Sequence, residues 1–310
     1  MRDTENAILR TVLYGDVFGF PMTAQEIHHF LISDTPCPAE VIETTLRHSA
    51  RLARLLEQRD GWTALAGRAE LMGIRAGRDT ASTHLLVEAR RYGRWLSLLP
   101  FVRMVAITGA LAMHNAANAQ DDIDYVVVTS AGRVWLARAF AIGVVRLARL
   151  RGVTVCPNYV LAESALAQDR RDLYIAHEVT QMVPLHGFTL YAQMRALNGW
   201  TAQFLANANS PFHQEAEWTP EGVSRAAKRT AEWFLSGRIG NALENWERKR
   251  KIRRFQSQMV KASAGAQLDT ERVKGHFNDH GQRVIAEYEA RLRAYGLAEI
   301  EPTDQSAAAD

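Results

Sequence analysis

Asp122 and Asp124 stand two residues apart at the head of an apolar run, Ile123 to Thr129, in a chain of 310 residues. Side chains at i and i+2 of a strand point to one face, so the two carboxylates lie side by side. That costs energy through like-charge repulsion unless a cation sits between them. Mg²⁺ is a hard cation held by a few carboxylates together with substrate phosphates. Upstream, Ile107-Thr108-Gly109-Ala110 ends one apolar run in a glycine turn and opens a short small-residue helix. Backbone N–H groups at such a turn suit phosphate, which makes Thr108, Gly109 and Ala110 the nucleotide-binding candidates. Asp122 and Asp124 are the metal candidates. Together they suggest phosphoryl or nucleotidyl transfer, in which metal ions clamp the phosphates and an acceptor hydroxyl attacks in line.

The surrounding pattern must hold these groups in place. It predicts a strand at 102–108, the glycine turn and short helix, and a second strand reaching 129. A Ser130-Ala131-Gly132 turn and a helix over 133–150 follow. Trp135, Phe140, Val144 and Leu147 form a core stripe on that helix. A third strand is expected at 153–161, with Thr154, Cys156, Asn158 and Val160 on one face. Val153, Val155, Pro157, Tyr159 and Leu161 then take the other face. This is a small α/β unit. The arginine-rich segment 68–99 before it reads as helix, mostly solvated, with one or two arginines turned towards the phosphates.

Gly109-Ala110, a spacer of eleven residues and Asp122-Ile123-Asp124 resemble the Gly-[Gly/Ser]…Asp-x-Asp signature of the DNA polymerase beta-like nucleotidyltransferase superfamily. Gly109-Ala110-Leu111-Ala112 is similar to the Gly-Ser-x-Ala helix of its minimal members. The resemblance covers about residues 101–165. It implies an α/β (α+β) core with a mixed sheet. It also implies a Mg²⁺-dependent enzyme that moves a nucleoside monophosphate from a nucleoside triphosphate to a hydroxyl or phosphate acceptor. Two departures stand out. Ala110 replaces the serine whose hydroxyl binds a terminal phosphate. The third carboxylate of the family, on the next core strand, is also missing. Asn158 is the match to that position, as a third catalytic candidate beside Asp122 and Asp124, and Glu163 lies just beyond it. A catalytically weak, nucleotidyltransferase-like binding or regulatory protein is therefore the alternative.

The flanks read differently. Helices near 4–17, 24–32 and 39–55 and an Asp60-Gly61 hairpin suggest a winged-helix-like module over 1–67. Its third helix carries Arg47, Arg51 and Arg54 beside Glu40 and Glu43, so packing and DNA contact both stay open. The core is placed at 68–165, an all-helical C-terminal region at 166–301 and a disordered tail at 302–310. His177 and Glu178 are neighbours on one helix and make poor co-ligands. Arg248-Lys249-Arg250-Lys251-Ile252-Arg253-Arg254 is a solvated face or a contact for nucleic acid or another acidic partner.

Net charge is +3, which offers no global argument for nucleic acid. Cys37 and Cys156, the two cysteines, lie in unlike contexts and suit a reducing compartment. The first residues lack a signal-peptide pattern, and the apolar helix 133–150 contains Arg138, Arg146 and Arg149. A cytoplasmic protein with no membrane partner is expected.

Overall fold

The computed structural model describes residues 2–259, 269–274 and 280–298. The tail placed at 302–310 lies outside them. The N-terminal module runs α1 (Arg2–Val17), β1 (Met22–Thr23), α2 (Ala24–His29), α3 (Ala39–His48), α4 (Leu52–Leu55), β2 (Leu56–Arg59) and β3 (Trp62–Leu65). Ile8, Leu9, Val12 and Leu13 are buried on one stripe of α1, as their spacing requires. Thr23 caps α2 in a reciprocal box: its hydroxyl accepts from Glu26 N at 3.1 Å, and its own N–H donates to Glu26 Oε2 at 2.7 Å. The third helix is shorter than its pattern suggests. Ser49 turns extended, and its hydroxyl accepts from Leu52 N at 3.1 Å, so a local side-chain bond replaces a helical one. Asp60 and Gly61 both take positive φ, 52° and 83°, which is the tight hairpin geometry for β2–β3. The three strands form one antiparallel sheet in the order β1-β3-β2.

The chain continues through α5 (Glu70–Ser97), β4 (Val102–Thr108), α6 (Gly109–Ala112), β5 (Ile123–Thr129), α7 (Val134–Arg149), β6 (Val155–Ala162), α8 (Leu173–Thr180), β7 (Val183–His186) and α9 (Phe188–Leu197). A 3₁₀ turn at Gly199–Gln203 precedes α10 (Gly222–Leu235), α11 (Arg238–Met259), β8 (Arg272–Lys274) and α12 (His280–Ala294). Strands β7-β4-β5-β6-β8 build a mixed sheet in which only β5 and β6 run parallel. The region beyond 166 is thus not all-helical. Val183-Pro184-Leu185 adds an edge strand to β4, and Arg272–Lys274 adds one to β6. Runs this short carry no periodicity that separates strand from helix.

Helices cover both faces of this sheet. Val105, Ile107, Tyr125, Val127 and Val160 pack with residues of α5 and α7. Met104, Ala106, Val126, Val128 and Leu161 pack against α8 and α9. The N-terminal module joins the rest through a shared core, in which Leu173 and Ala176 of α8 and Val284, Tyr288 and Leu292 of α12 meet α1 and α2. A buried ion pair adds to this joint: Arg75 of α5 donates to Glu26 Oε1 at 2.9 Å and to the His114 carbonyl at 2.7 Å.

Candidate functional site

Strand register assembles the site. Antiparallel pairing sets Thr108 of β4 opposite Asp124 of β5, and parallel pairing sets Cys156 of β6 on the other side of Asp124. Gly109 follows Thr108 directly, so the glycine turn falls against the Asp124 carboxylate. Its φ is +67°, and a β-carbon there would stand 2.6 Å from Asp124 Oδ2. Only glycine meets both conditions.

Strand β6 carries a bulge at this level. Asp124 pairs with Cys156 while Val126 pairs with Tyr159, so β6 spends one extra residue around Pro157 and Asn158. Proline, which cannot donate to a ladder, is at home in a bulge. The bulge changes the expected alternation. Cys156 and Asn158 stay beside the carboxylates, but Val160 crosses to the α5–α7 core and Tyr159 comes round to line the cavity. Asn158 Nδ2 donates to Asp124 Oδ1.

These groups form the floor of a cavity of about 870 Å³. Thr108, Gly109, Asp124 and Asn158 lie at the sheet end. Tyr174 and Glu178 come from α8, Lys274 from β8, and Tyr14, Phe20 and Phe30 from the N-terminal module. Ala110 also lines it. Asp122 is exposed, and ligand atoms of Asp122, Asp124 and Cys156 all fall within 4.8 Å of one another. Thr108 is buried, and its hydroxyl faces no hydrogen-bond partner among the described residues.

Among the described residues, the acidic groups at this end of the sheet crowd one another. Burial, then the nearby charges of Asp122 and Glu178, push the Asp124 carboxyl up to about 8, with only the Asn158 bond pulling it back. Among the described residues no ion pair reaches Asp122 or Asp124. Burial and the same two aspartates push the Cys156 thiol up to about 11, so it is a neutral thiol at pH 7 and no ligand for a hard cation. The donor set that suits Mg²⁺ is thus the aspartate pair. Burial raises the Glu178 carboxyl too, against the pull of Lys274 and a hydrogen bond from Gln181. The charge of Glu178 in turn raises Tyr174.

Sequence reasoning placed Asp122, Asp124, Thr108, Gly109, Ala110 and Asn158, and the fold brings all six to one end of the sheet. Glu163 lies elsewhere. Its N–H bonds to the Thr129 carbonyl at the far end of β5 and its carboxylate accepts from Ala131 N at 3.4 Å. Two cavity groups were missed, Glu178 and Lys274. His177 and Glu178, poor co-ligands by their adjacent spacing, both line the cavity, and His177 stacks on Tyr14 at 4.0 Å. Lys274 enters only because β8 pairs with β6, Lys274 opposite Tyr159. No local signal in the sequence marks it.

The basic run of α11 is partly engaged inside the fold. Arg250 pairs with Glu247 at 2.7 Å, and Arg248 donates to Asn245 at 3.2 Å. Among the winged-helix candidates, Arg51 is held by Asn6 and Glu5, while Arg47 and Arg54 are exposed. No described helix is long and apolar enough to cross a membrane. Comparison of the chain with protein-family models, with curated proteins and with solved structures finds no match.

Proposed function

We propose that this cavity takes a nucleoside triphosphate together with a divalent cation and transfers the nucleoside monophosphate to an acceptor hydroxyl. The observation that carries the reading is the close approach of Gly109 to Asp124 beside the buried, unpartnered hydroxyl of Thr108. A turn stripped of side-chain bulk, with a free donor, set against an uncompensated carboxylate pair, suits a polyphosphate and its cation.

In this reading Asp122 and Asp124 would hold Mg²⁺, which when bound neutralises phosphate charge. Thr108 Oγ1 and the N–H groups at Gly109 and Ala110 receive phosphate oxygens. Lys274 supplies positive charge from the opposite wall. The acceptor oxygen attacks the α-phosphorus, the bond from that phosphorus to the bridging oxygen breaks, and pyrophosphate leaves. Glu178, made more basic by burial, takes the hydroxyl proton. The acidic end serves the phosphates, and the aromatic wall of Tyr14, Phe20 and Phe30 serves the base or the acceptor. The N-terminal module, read as a winged helix, thereby becomes a pocket wall rather than a DNA reader.

The test is thermal unfolding with Mg²⁺ and each of the four nucleoside triphosphates, in wild type and in Asp122→Asn, Asp124→Asn. Ligand at a hundred times its dissociation constant stabilises by about 2.7 kcal/mol. An equal response in the double variant, or none in wild type, sinks the reading. The second reading is a nucleotide-binding protein with feeble turnover, favoured by Asn158 where a third acid is expected. Binding without pyrophosphate release across an acceptor panel selects it.

A further inference from the structure

Helix α10 is docked by its polar face. Lys228 Nζ donates to the Ser97 and Val102 carbonyls at 2.7 and 2.6 Å. Glu232 accepts from Phe101 N and from Arg103 Nη1, both at 2.7 Å. Its apolar side therefore faces outward, against the usual arrangement of a surface helix. Trp233 is 72% exposed and Phe234 63%. Helix α11 repeats the pattern with Ile239, Leu243 and Trp246, the last 61% exposed, at i, i+4 and i+7.

Charge on this face is one-sided. Residues 222–254 contain three acids, Glu232, Glu244 and Glu247, and each is directed inward. Glu232 binds Arg103, Glu244 caps α7 by accepting from Trp135 N and Leu136 N at 2.9 and 2.7 Å, and Glu247 is buried against Arg250. Arg238, Lys249, Arg253 and Arg254 are exposed. Arg253 and Arg254 continue the α11 stripe beyond Trp246, at i+7 from Trp246 and i+11 from Leu243. An aromatic and aliphatic band thus runs into a cationic end with no exposed acid among residues 222–254.

We propose that the outer face of α10 and α11 docks onto an anionic lipid bilayer, its Trp, Phe, Ile and Leu side chains entering the headgroup boundary and its cations meeting lipid phosphates. A second copy of this chain fits less well, because a symmetric contact sets cation against cation. Single-stranded nucleic acid stacks on rings, whereas Ile239 and Leu243 of this band are aliphatic.

The experiment is co-sedimentation of the full chain with phosphatidylcholine vesicles and with vesicles that also contain phosphatidylglycerol, at low and high salt. The wild type partitions onto the anionic vesicles and is released by salt. Trp233→Ser, Trp246→Ser lowers partitioning by roughly tenfold through lost apolar insertion. Arg253→Glu lowers it by at least about fivefold, the value of one surface cation. All three side chains are exposed, so melting temperatures stay at the wild-type value, which separates the effect from unfolding. No partitioning at low salt overturns the proposal, and so does wild-type partitioning by either variant. A dimer in sedimentation equilibrium, or a single-stranded RNA shift, that is lost in Trp233→Ser, Trp246→Ser without vesicle binding also overturns it.

Discussion

Gly109 and Asp124 are neighbours through space, fifteen residues apart in sequence, with room for a hydrogen at the Gly109 Cα and not for a methyl group. Gly109→Ala must adopt a left-handed conformation and displace the Asp124 carboxylate. A loss of about 1–3 kcal/mol in stability is expected in urea unfolding, together with loss of the Mg²⁺–nucleotide thermal shift. Wild-type stability in this variant would show that Asp124 moves freely, and the site would then not be built as described.

The Asn158–Asp124 contact occupies the position where the proposed function would place a third carboxylate. Asn158→Asp replaces an attraction by repulsion between carboxylates, so the melting temperature without metal falls at neutral and alkaline pH. Mg²⁺ restores it, and Mg²⁺ affinity rises by about tenfold as a third carboxylate joins the pair. Adding Ala110→Ser supplies a hydroxyl to the phosphate turn and tightens triphosphate binding by about tenfold, the worth of one bond to a charged group. Isothermal titration of both variants checks this, and unchanged Mg²⁺ affinity in Asn158→Asp counts against the metal assignment.

Three histidines sit neutral inside the fold. Burial lowers His29, His177 and His213 from 6.5 to about 4 each. Between those values the unfolded chain binds protons that the folded chain refuses, so unfolding free energy rises with pH across the window. Stability is therefore full above about pH 6.5, declines as pH falls towards 4, and flattens below for these groups. Asp124, pushed up to about 8, runs the other way over the same window and offsets about one of the three histidine protons, so the histidine slope is what remains. Urea melts at half-unit steps test it: a flat midpoint from pH 6.5 to 5 refutes the burial argument, and His177→Gln should shallow the slope.

Arg75 and Glu26 are both nearly inaccessible, at 3% exposed each. Glu26→Ala removes the carboxylate half of the α2 capping box and leaves a guanidinium without its buried partner. The expected cost is about 3–5 kcal/mol in chemical denaturation. Arg75→Met with Glu26→Leu, which removes both charges, should cost less than Glu26→Ala alone. The opposite ranking would mean that the pair itself is strongly stabilising.

The chemistry-bearing residues were readable because they are local. A glycine turn, a short spacer and an Asp-x-Asp at a strand head lie within sixteen residues, Gly109 to Asp124. Strand alternation then points both carboxylates the same way. Hydrophobic spacing likewise marked α1 and the helix α7, although Leu147 of the expected α7 stripe is exposed, and Asp60-Gly61 marked the hairpin. Failures came where a long-range partner decided. Val183-Pro184-Leu185 and Arg272–Lys274 are strands because β4 and β6 offer free edges, which no three-residue window announces. The β6 bulge shifts Val160 and Tyr159 across the sheet by one inserted residue, and period-two reasoning carries no sign of it.

The sequence by itself determined the acidic pair, the glycine turn, the α/β alternation around them and the helical character of much of the flanks. These rest on nearest-neighbour sterics and side-chain periodicity, which act along the chain. Only the tertiary structure decided which other groups face the pair. Glu178 and Lys274 reach the cavity from elements fifty and more residues away, placed by packing of α8 and pairing of β8. It also decided that α10 docks by the Lys228 hydrogen bonds and the Glu232–Arg103 ion pair and turns its tryptophan outward. Amphipathic spacing defines two faces of a helix, and the surface it meets selects which one is buried.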